Sequence, residues 1–346
     1  MENEKEARLT TTWEMLYKDD EGQGHVETLR RYEYDQDREP FSPATPAKIT
    51  PTRRKGVERD YESYLVFGDA QIDFRRNNDN ELMPLHDERA MRVMQYIARD
   101  LAPDLIVNLG DHVDLSSLSK FKPDSDQFHR TLGPSFQAAH DFYAQLRADN
   151  PNARIVEVDS NHNTRLKDYT LKYFPNMYGV RQAGTSDEYP VMSYPHLANL
   201  QHLDVEWRSG YGAAEEVVEG EYVDLTFRHG TEHSSASTTA AAKALKNRPD
   251  VHTVQGHDHR RSEAFRTNRY GHYIGALVVG TLARTTGEVP GYHSAVDDLG
   301  EVVHNQQNWQ ASGLEVRNYD GEFEFYPFFI QDGVARTPNG REYRGE

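Results

Sequence analysis

The amino-acid sequence predicts a mixed α/β protein with parallel strands in its first half and a second sheet in its C-terminal half. Between residues 64 and 158, short apolar runs typical of buried strands alternate with segments of helical periodicity. This alternation favours parallel strands joined by crossover helices. From residue 223 onward, strand-like runs predominate and only one helical segment interrupts them.

Each element of the first half ends at a recognisable signal. The predicted elements are strands over 64–67, 105–109 and 154–158, and helices over 86–101 and 128–146. Apolar residues recur at spacings of three and four in both helices, as one buried face requires. The strands end at Gly68-Asp69, at Gly110-Asp111 and near Asn161.

The second half predicts strands separated by one Ala-rich helix. The predicted elements are strands over 223–227, 251–254, 273–282, 313–318 and 322–330, and a helix over 237–247. Asp320-Gly321 lies between the last two strands and predicts a tight hairpin.

Residues 1–60 are predicted to be a charged N-terminal arm and linker, followed by one catalytic domain over residues 61–346. The first stretch is charged, and a Pro-bearing segment spans residues 39–46. The helical spacing of Trp13, Leu16 and Tyr17 allows a short helix within the arm. A basic run at residues 53–55 is most simply a solvated part of the linker.

Composition limits the classes of function. The 346-residue chain has a formal net charge of −17, which disfavours long-range attraction to nucleic acid or to an anionic membrane. It contains no cysteine, so a disulfide framework, a thiolate metal site and a cysteine nucleophile are excluded. Because neither a secretory signal nor an apolar run of about 20 residues is present, we expect a cytoplasmic protein without a membrane partner.

Possible metal ligands follow five of the strand-like runs. They are Asp69, Asp111, Asn161, His229 and His257, with His259 two residues after the last. In open α/β sheets, ligands bind outside the carboxyl ends of the strands, so residues distant in sequence can meet there. Carboxylate and amide oxygens together with imidazole suit manganese, iron or zinc. The pattern predicts a metal site at this edge of the core.

Five short motifs in order carry a resemblance to a known family. They are Gly68-Asp69-Ala70-Gln71, Gly110-Asp111-His112-Val113-Asp114, Ser160-Asn161-His162-Asn163, His229-Gly230 and Gly256-His257-Asp258-His259. They resemble the blocks GDxH, GDxxD, GNH(D/E), HG and GHxH of the calcineurin-like metallophosphoesterase superfamily, over roughly residues 64 to 259. The surroundings of Asn161 and His257 resemble members often encoded by phages and prophages, for which the location would be the host cytoplasm.

The resemblance implies a fold and a set of residue roles. The fold would be a four-layer αββα sandwich of two mixed β-sheets flanked by helices, with the strands beyond residue 259 in the second sheet. Two divalent metal ions would bind, with manganese favoured over iron, zinc or nickel. The implied roles are these: Asp69 and His259 hold the first metal beside Gln71, Asp111 bridges both metals, Asn161, His229 and His257 hold the second, His162 is the general acid, and Asp114 orients an imidazole.

Three positions depart from the family pattern. Gln71 stands where a histidine ligand is usual, and its neutral amide oxygen is a weaker donor. Ser160 replaces a glycine, which predicts a strained backbone at a tight turn. Asn163 replaces the usual acidic residue after the catalytic histidine, which alters the surroundings of His162.

Taken singly, each of these residues has an ordinary structural explanation. A lone Asp after a strand is usually a turn or helix-capping residue, and a lone His is usually half-buried without binding a metal. We apply that explanation to His86, His112, His129, His233 and His293. The ordered set of five motifs is what favours a metal centre.

The sequence therefore predicts a metal-dependent phosphoester hydrolase that uses a hydroxide activated by two metal ions. A phosphodiesterase or nuclease acting on nucleic acid or nucleotides is the leading interpretation, although the net charge of −17 counts against nucleic acid. Nothing specific favours a phosphoprotein phosphatase. The alternative is a metal- or partner-binding protein of the same fold with weak or lost catalysis, which Gln71 and Asn163 permit.

Overall fold

The computed structural model describes two units of the chain, which cluster as Met1–Ile49 and Thr50–Glu346. The described residues are 7–18, 24–34, 59–77, 79–119, 128–184, 186, 188–232, 239–287, 289, 295–296, 302–303, 305–306 and 308–346. The first unit contains the antiparallel pair β1 (Ala7–Lys18) and β2 (Gly24–Tyr34). The short helix suggested by Trp13, Leu16 and Tyr17 is wrong, because these residues lie in β1. The division into an arm and a catalytic domain stays a prediction.

The second unit contains all of the remaining elements. Its helices are α1 (Glu88–Leu101), α2 (Leu132–Asp149), α3 (Asn161–Tyr173), α4 (Tyr194–Leu197) and α5 (Thr239–Asn247). Its strands are β3 (Glu62–Phe67), β4 (Phe74–Arg76), β5 (Leu82–Pro84), β6 (Leu105–Asn108), β7 (Arg154–Val158), β8 (Val205–Arg208), β9 (Glu215–Val218), β10 (Leu225–Arg228), β11 (His252–Gln255), β12 (Ser262–Thr267), β13 (Tyr273–Val278), β14 (Thr286–Gly287), β15 (Ala295–Val296), β16 (Val302–Val303), β17 (Asn305–Gln306), β18 (Ser312–Tyr319), β19 (Glu322–Gln331), β20 (Val334–Arg336) and β21 (Glu342–Arg344).

Two mixed sheets form the core of this unit. The larger has the order β21-β20-β19-β18-β3-β6-β7-β8, and the smaller has the order β12-β13-β11-β10-β9. Strands β3, β6, β7 and β8 are parallel neighbours, and β11 is parallel to both β10 and β13. The predicted parallel arrangement of the first half is therefore confirmed.

The alternation of side chains along the strands builds the layers. Leu65 and Phe67 of β3 pack in one cluster with residues of α1 and α2, while Tyr64 and Val66 pack in another with the smaller sheet. Ala240 of α5 packs on the other face of the smaller sheet. The order of layers is helices, sheet, sheet, helix, which confirms the predicted αββα sandwich.

One part of the predicted architecture is wrong. The strands over 313–318 and 322–330 were expected in the second sheet, but β18 pairs with β3 and so extends the first sheet. The predicted hairpin at Asp320-Gly321 is present, and both residues have positive φ, 52° and 96°. The second sheet consists of strands between residues 215 and 278.

Two helix boundaries follow from local chemistry. The Asp87 carboxylate caps α1 by accepting hydrogen bonds from the Arg89 and Ala90 amides, and the helix ends at Ala102 with a left-handed φ of 44°. Helix α3 begins directly after β7, so that Asn161 and His162 lie in its first turn. Among the described residues, no helix is both long and apolar enough to cross a membrane.

Candidate metal centre

The carboxyl ends of five strands supply the predicted ligands. Strands β3, β6 and β7 of the larger sheet lead to Asp69, Asp111 and Asn161, and β10 and β11 of the smaller sheet lead to His229 and His257. The contacts described next show that these side chains, together with His259, meet at one place. The expectation that strand ends from both halves converge is therefore met.

One group of side chains is built around Asp69. Asp69, Asp111 and His259 each offer one ligand atom within 4.8 Å of the others. The His259 Nε2 atom lies 3.1 Å from Asp69 Oδ1. The other oxygen, Asp69 Oδ2, accepts a hydrogen bond of 3.0 Å from the backbone amide of His257. Both carboxylates in this group are almost completely buried.

A second group is built around His229. Asp111, His229 and His257 also offer ligand atoms within 4.8 Å of one another. His229 Nε2 lies 3.1 Å from His257 Nδ1, 3.3 Å from Asp111 Oδ2 and 2.8 Å from Asn161 Oδ1. The opposite nitrogen, His229 Nδ1, lies 2.8 Å from the Leu109 carbonyl oxygen, to which it donates when it carries a hydrogen. That bond orients the ring and directs Nε2 toward the other ligands.

Asp111 belongs to both groups, which is the arrangement that a bridging carboxylate requires. It is 1% exposed, and its Oδ1 atom accepts a hydrogen bond of 3.1 Å from the backbone amide of His162. Burial alone would raise the pKa of Asp111. The imidazoles of His162, His229 and His257 outweigh burial and hold this pKa well below its usual range.

The charge of Asp111 has the reciprocal effect on His229. Burial alone would lower the pKa of His229, but the carboxylates of Asp111 and Asp69 outweigh it and raise this pKa to about 9. The imidazole therefore holds a proton near neutral pH when no cation is present to balance the carboxylates. A bound divalent cation would take the place of that proton.

The loops that carry the ligands depend on an uncommon backbone conformation. Asp69, Gln71, Asp111, His257 and His259 all have positive φ, between 48° and 73°. Non-glycine residues rarely adopt this left-handed region, and clusters of such residues are typical of functional sites. The conformation turns the chain sharply after each strand and brings the side chains back over the strand ends.

Close packing at two glycines keeps these loops together. A Cβ on Gly256 would lie 2.4 Å from Asp69 Oδ2. Gly110 has a φ of 97°, and a Cβ there would lie 2.7 Å from both Ser160 Cβ and the Val158 carbonyl oxygen. Glycine is required at both positions because the neighbouring groups leave no room for a side chain.

Gln71 contacts two members of the first group, Asp111 and His259. Its Nε2 atom donates a hydrogen bond of 3.2 Å to Asp111 Oδ2 and lies 3.4 Å from His259 Nε2. In this orientation the amide nitrogen, not the oxygen, faces the other ligands. Ligation by Gln71 requires a 180° rotation of the amide group, which exchanges the two atoms.

His162 is held at the edge of the centre, 13% exposed at its side chain. Its Nδ1 atom lies 3.0 Å from Asp114 Oδ1, and its Nε2 atom lies 2.8 Å from Arg165 Nη2 and 3.5 Å from Asp111 Oδ2. Burial would raise the pKa of the Asp114 carboxyl, but His162 and Arg165 outweigh burial and lower it. Asp114 lies beside the imidazole of His162, and its role as the residue that orients an imidazole stays a prediction.

The structure also shows the surroundings of Ser160 and Asn163, the other two positions that depart from the motifs. The strain predicted at Ser160 is wrong, because its φ of −140° and ψ of 170° are ordinary extended values. The close contact next to Ser160 is made by Gly110, which packs against the Ser160 side chain. Asn163 is 6% exposed, faces away from solvent and has no side-chain hydrogen-bond partner in the described part of the chain. The carboxylates near His162 are those of Asp114 and Asp111.

A buried carboxyl group lies on the strand that precedes Asn161. Glu157 is fully buried, and its Oε2 atom accepts hydrogen bonds of 2.6 Å from the Tyr143 hydroxyl and 2.9 Å from the Tyr194 hydroxyl. Burial, more than any other influence, raises the pKa of Glu157 to about 8, and the charges of Asp159 and Asp111 add to the effect. Glu157 is therefore mainly uncharged at neutral pH.

The histidines that were not predicted to bind a metal are mostly outside the candidate metal centre. His112 is fully buried against Phe142 and Tyr143, and burial lowers its pKa to about 3. His86 is also buried, with Nδ1 3.1 Å from the Asp73 carbonyl oxygen. His233 and His293 lie outside the described residues.

Sequence reasoning missed three side chains that line the centre. Arg165 contacts His162, the Trp309 ring lies 4.4 Å from the His259 ring, and the Tyr211 ring lies 5.9 Å from the His229 ring. Arg165 could have been found, because residues three and four apart share one face of a helix that begins at Asn161. No local signal in the sequence places Trp309 or Tyr211.

Comparison with known proteins adds little beyond the fold. No protein-family model matches the chain. The chain is 33% identical over 97 residues to the Gene 54 protein of Mycobacterium phage D29, a match that spans 27% of this chain and 37% of the phage protein.

Three solved structures are similar at about 10% identity. They are a dimetal phosphatase from Danio rerio (11% identity, TM-score 0.31, 76% of this chain and 98% of that chain), GAP50, the anchor in the inner membrane complex of Plasmodium (9%, 0.38, 82% and 88%), and the protein TT1561 of Thermus thermophilus (11%, 0.25, 71% and 99%). Similarity at this level concerns the fold alone and assigns no activity to the chain.

Proposed function

We propose that this protein is a metal-dependent phosphoester hydrolase with two divalent cations in the candidate metal centre. The observation that carries the proposal is the presence of Asp111 in both groups of candidate ligands. Asp69 and His259 would hold the first cation with Asp111, and Asn161, His229 and His257 would hold the second with Asp111. Oxygen and imidazole donors without thiolate fit manganese, iron, zinc or nickel, and the carboxylate and amide oxygens among them favour manganese.

The bound cations would stabilise charge on the phosphate oxygens and lower the pKa of a water molecule. The residues of the chain supply the rest. Asp111 and Asp69 are preorganised by backbone amides and lie in a buried site, where electrostatic interactions are stronger than in water. The carboxylate oxygens of Asp114 and Asp111 lie 3.0 Å and 3.5 Å from the two ring nitrogens of His162.

His162 is proposed as the general acid that protonates the leaving oxygen. The Nδ1 atom lies 3.0 Å from Asp114 Oδ1, so the proton for the leaving group would be carried at the opposite nitrogen, Nε2. In the structure Arg165 Nη2 lies 2.8 Å from that atom. Two donors cannot face each other, so Arg165 must turn away from Nε2 before proton transfer, and the freed guanidinium can then contact the phosphate.

Hydrolysis of bis-p-nitrophenyl phosphate with added manganese tests the proposal. We expect turnover that requires the metal and that is abolished by Asp111→Asn, because the variant removes the shared negative charge. Asp141→Asn is the matched control, because it makes the same chemical change at an exposed position of α2. Absence of manganese-dependent turnover in the wild-type protein would contradict the proposal.

The second candidate function is metal binding without efficient catalysis. Two observations favour it: the nitrogen of Gln71 faces Asp111, and Arg165 occupies the Nε2 atom of His162. Under this function the protein binds manganese, as measured by calorimetry, but hydrolyses neither monoesters nor diesters. The same Asp111→Asn variant would then lose metal affinity without changing a background rate.

A further inference from the structure

Helix α3 begins in the candidate metal centre and ends in an exposed apolar segment. Every residue from 171 to 184 is exposed. Six of the fifteen exposed large hydrophobic side chains in the described chain lie between residues 171 and 180: Leu171, Tyr173, Phe174, Met177, Tyr178 and Val180. We call residues 169–180 the aromatic segment. A concentration of this kind marks a binding surface.

The rings of the aromatic segment are grouped and at the same time open to solvent. The ring centroid of Tyr169 lies 4.6 Å from that of Tyr173 and 6.2 Å from that of Phe174. Tyr173, Phe174 and Tyr178 are 53%, 51% and 55% exposed. Flat rings with this much free surface can each receive another flat ring by stacking.

The charge of this region is opposite to that of the chain. Residues 166–184 contain three basic side chains (Lys167, Lys172 and Arg181) and one acidic side chain, Asp168, whereas the whole chain has a net charge of −17. Lys172 Nζ also lies 4.8 Å from the centroid of the Tyr173 ring. A local positive charge beside aromatic rings attracts an anionic ligand that also carries aromatic groups.

The distance along α3 sets the size of that ligand. Asn161 and Tyr173 are the first and last residues of the helix, so they are about 18 Å apart at a rise of about 1.5 Å per residue. A mononucleotide or a small ester in the metal centre cannot span the roughly 18 Å to Tyr173. A polymer with several phosphates can occupy both places.

We propose that the aromatic segment binds single-stranded nucleic acid and leads the strand toward the candidate metal centre. Bases stack on Tyr173, Phe174 and Tyr178, and phosphates lie near Lys172 and Lys167. This combination of aromatic platform and basic side chains is how proteins hold single strands without reading their sequence. A duplex fits less well, because its base faces are already stacked on one another. As a statement about substrate, the inference rests on the proposed function.

Binding and turnover are measured separately to test the inference. Binding uses the anisotropy of a labelled 20-nucleotide single strand, as DNA or as RNA, with EDTA present to prevent cleavage. The test variant is Tyr173→Ala/Phe174→Ala, and the control is Tyr270→Ala, which removes an aromatic ring that is 68% exposed elsewhere. Loss of one stacked base weakens affinity by about 5- to 150-fold. We expect that loss only in the test variant.

Turnover provides the second measurement. We expect the test variant to raise the KM for the oligonucleotide and to leave the kinetics of bis-p-nitrophenyl phosphate unchanged, because that ester does not reach Tyr173 or Phe174. Lys172→Gln should reduce the slope of log affinity against log salt by about 0.7. If bis-p-nitrophenyl phosphate is not hydrolysed at all, the proposed function fails, while the anisotropy measurement still decides whether the segment binds a strand.

Three results would overturn the inference. The first is equal oligonucleotide affinity in the wild type and the test variant, and the second is an equal loss in Tyr270→Ala. The third is a wild-type dimer in sedimentation that becomes monomeric in the test variant with unchanged oligonucleotide affinity. In the third case, a second copy of the chain covers the aromatic segment.

Discussion

The buried carboxyl group of Glu157 makes the stability of the fold decrease as pH rises from 4.5 to about 8. In the unfolded chain its pKa is near 4.5, and in the folded protein burial raises the pKa to about 8. The folded state therefore binds a proton that the unfolded state has lost throughout this window. The contribution of Glu157 to stability is fully present below pH 4.5 and is lost as pH rises to about 8.

The pH range between the two pKa values of Glu157 sets the size of the change in the free energy of unfolding. At about 1.4 kcal/mol per pH unit, the complete loss between 4.5 and about 8 is ~5 kcal/mol. Between pH 6 and pH 9, the contribution of Glu157 to the free energy of unfolding decreases by ~3 kcal/mol. Glu157→Gln keeps an oxygen that accepts from Tyr143 and Tyr194 but cannot ionise. Relative to wild type, we expect the variant to gain ~3 kcal/mol of stability between pH 6 and pH 9.

Urea unfolding at pH 6 and at pH 9, in EDTA, measures this difference. The control is Glu206→Gln, because pairing with Arg154 lowers the pKa of Glu206 to about 2. That contribution is present above pH 4.5 and is lost only as pH falls to about 2. The control should therefore change stability equally at pH 6 and pH 9. If Glu157→Gln also changes stability equally at both values, Glu157 ionises normally and the reasoning is refuted.

Two further predictions concern the metal centre. Gly256→Ala places a Cβ 2.4 Å from Asp69 Oδ2 and should weaken both manganese binding and turnover. Gly133→Ala is the control, because its Cβ meets nothing within 4 Å, and it should leave both unchanged. Calorimetry measures the binding, and the bis-p-nitrophenyl phosphate assay measures the turnover. Because Asp111 helps to raise the pKa of His229 to about 9, manganese binding at pH 7 should release about one proton, and affinity should rise with pH up to about 9. Calorimetry in buffers of different ionisation enthalpy measures that proton, and binding without proton release would contradict a protonated His229.

The strands and helices around the centre could be predicted because their signals are local. Strands β3, β6 and β7 are short apolar runs, each followed within three residues by Gly-Asp or Asn. The parallel order also follows, because helices α1 and α2 separate these strands along the chain. The convergence of their ends is a geometric consequence of that order.

The remaining features depend on pairing that no local pattern encodes. In β18, Leu314 and Val316 alternate with other residues and so predict an apolar face, but the pattern does not say which sheet the strand joins. Helix α3 was not predicted, because the motif residues Asn161 and His162 occupy its first turn. The exposure of Tyr173 and Phe174 likewise appears only in the structure, since aromatic residues at helical spacing are usually buried.

The position of Asp111 links the fold to the proposed chemistry. Strand β6 lies between β3 and β7, so the loop that follows it lies between the loop that carries Asp69 and the first turn of α3, which carries Asn161. The left-handed φ of 48° at Asp111 turns the chain at this central position, and burial removes water that could balance the charge. Without cations, the balance comes from the imidazoles of His162, His229 and His257. We expect this arrangement of a bridging ligand, because the imidazoles around the buried carboxylate can exchange a proton for a metal ion. An ordinary turn does not require a buried carboxylate with such neighbours.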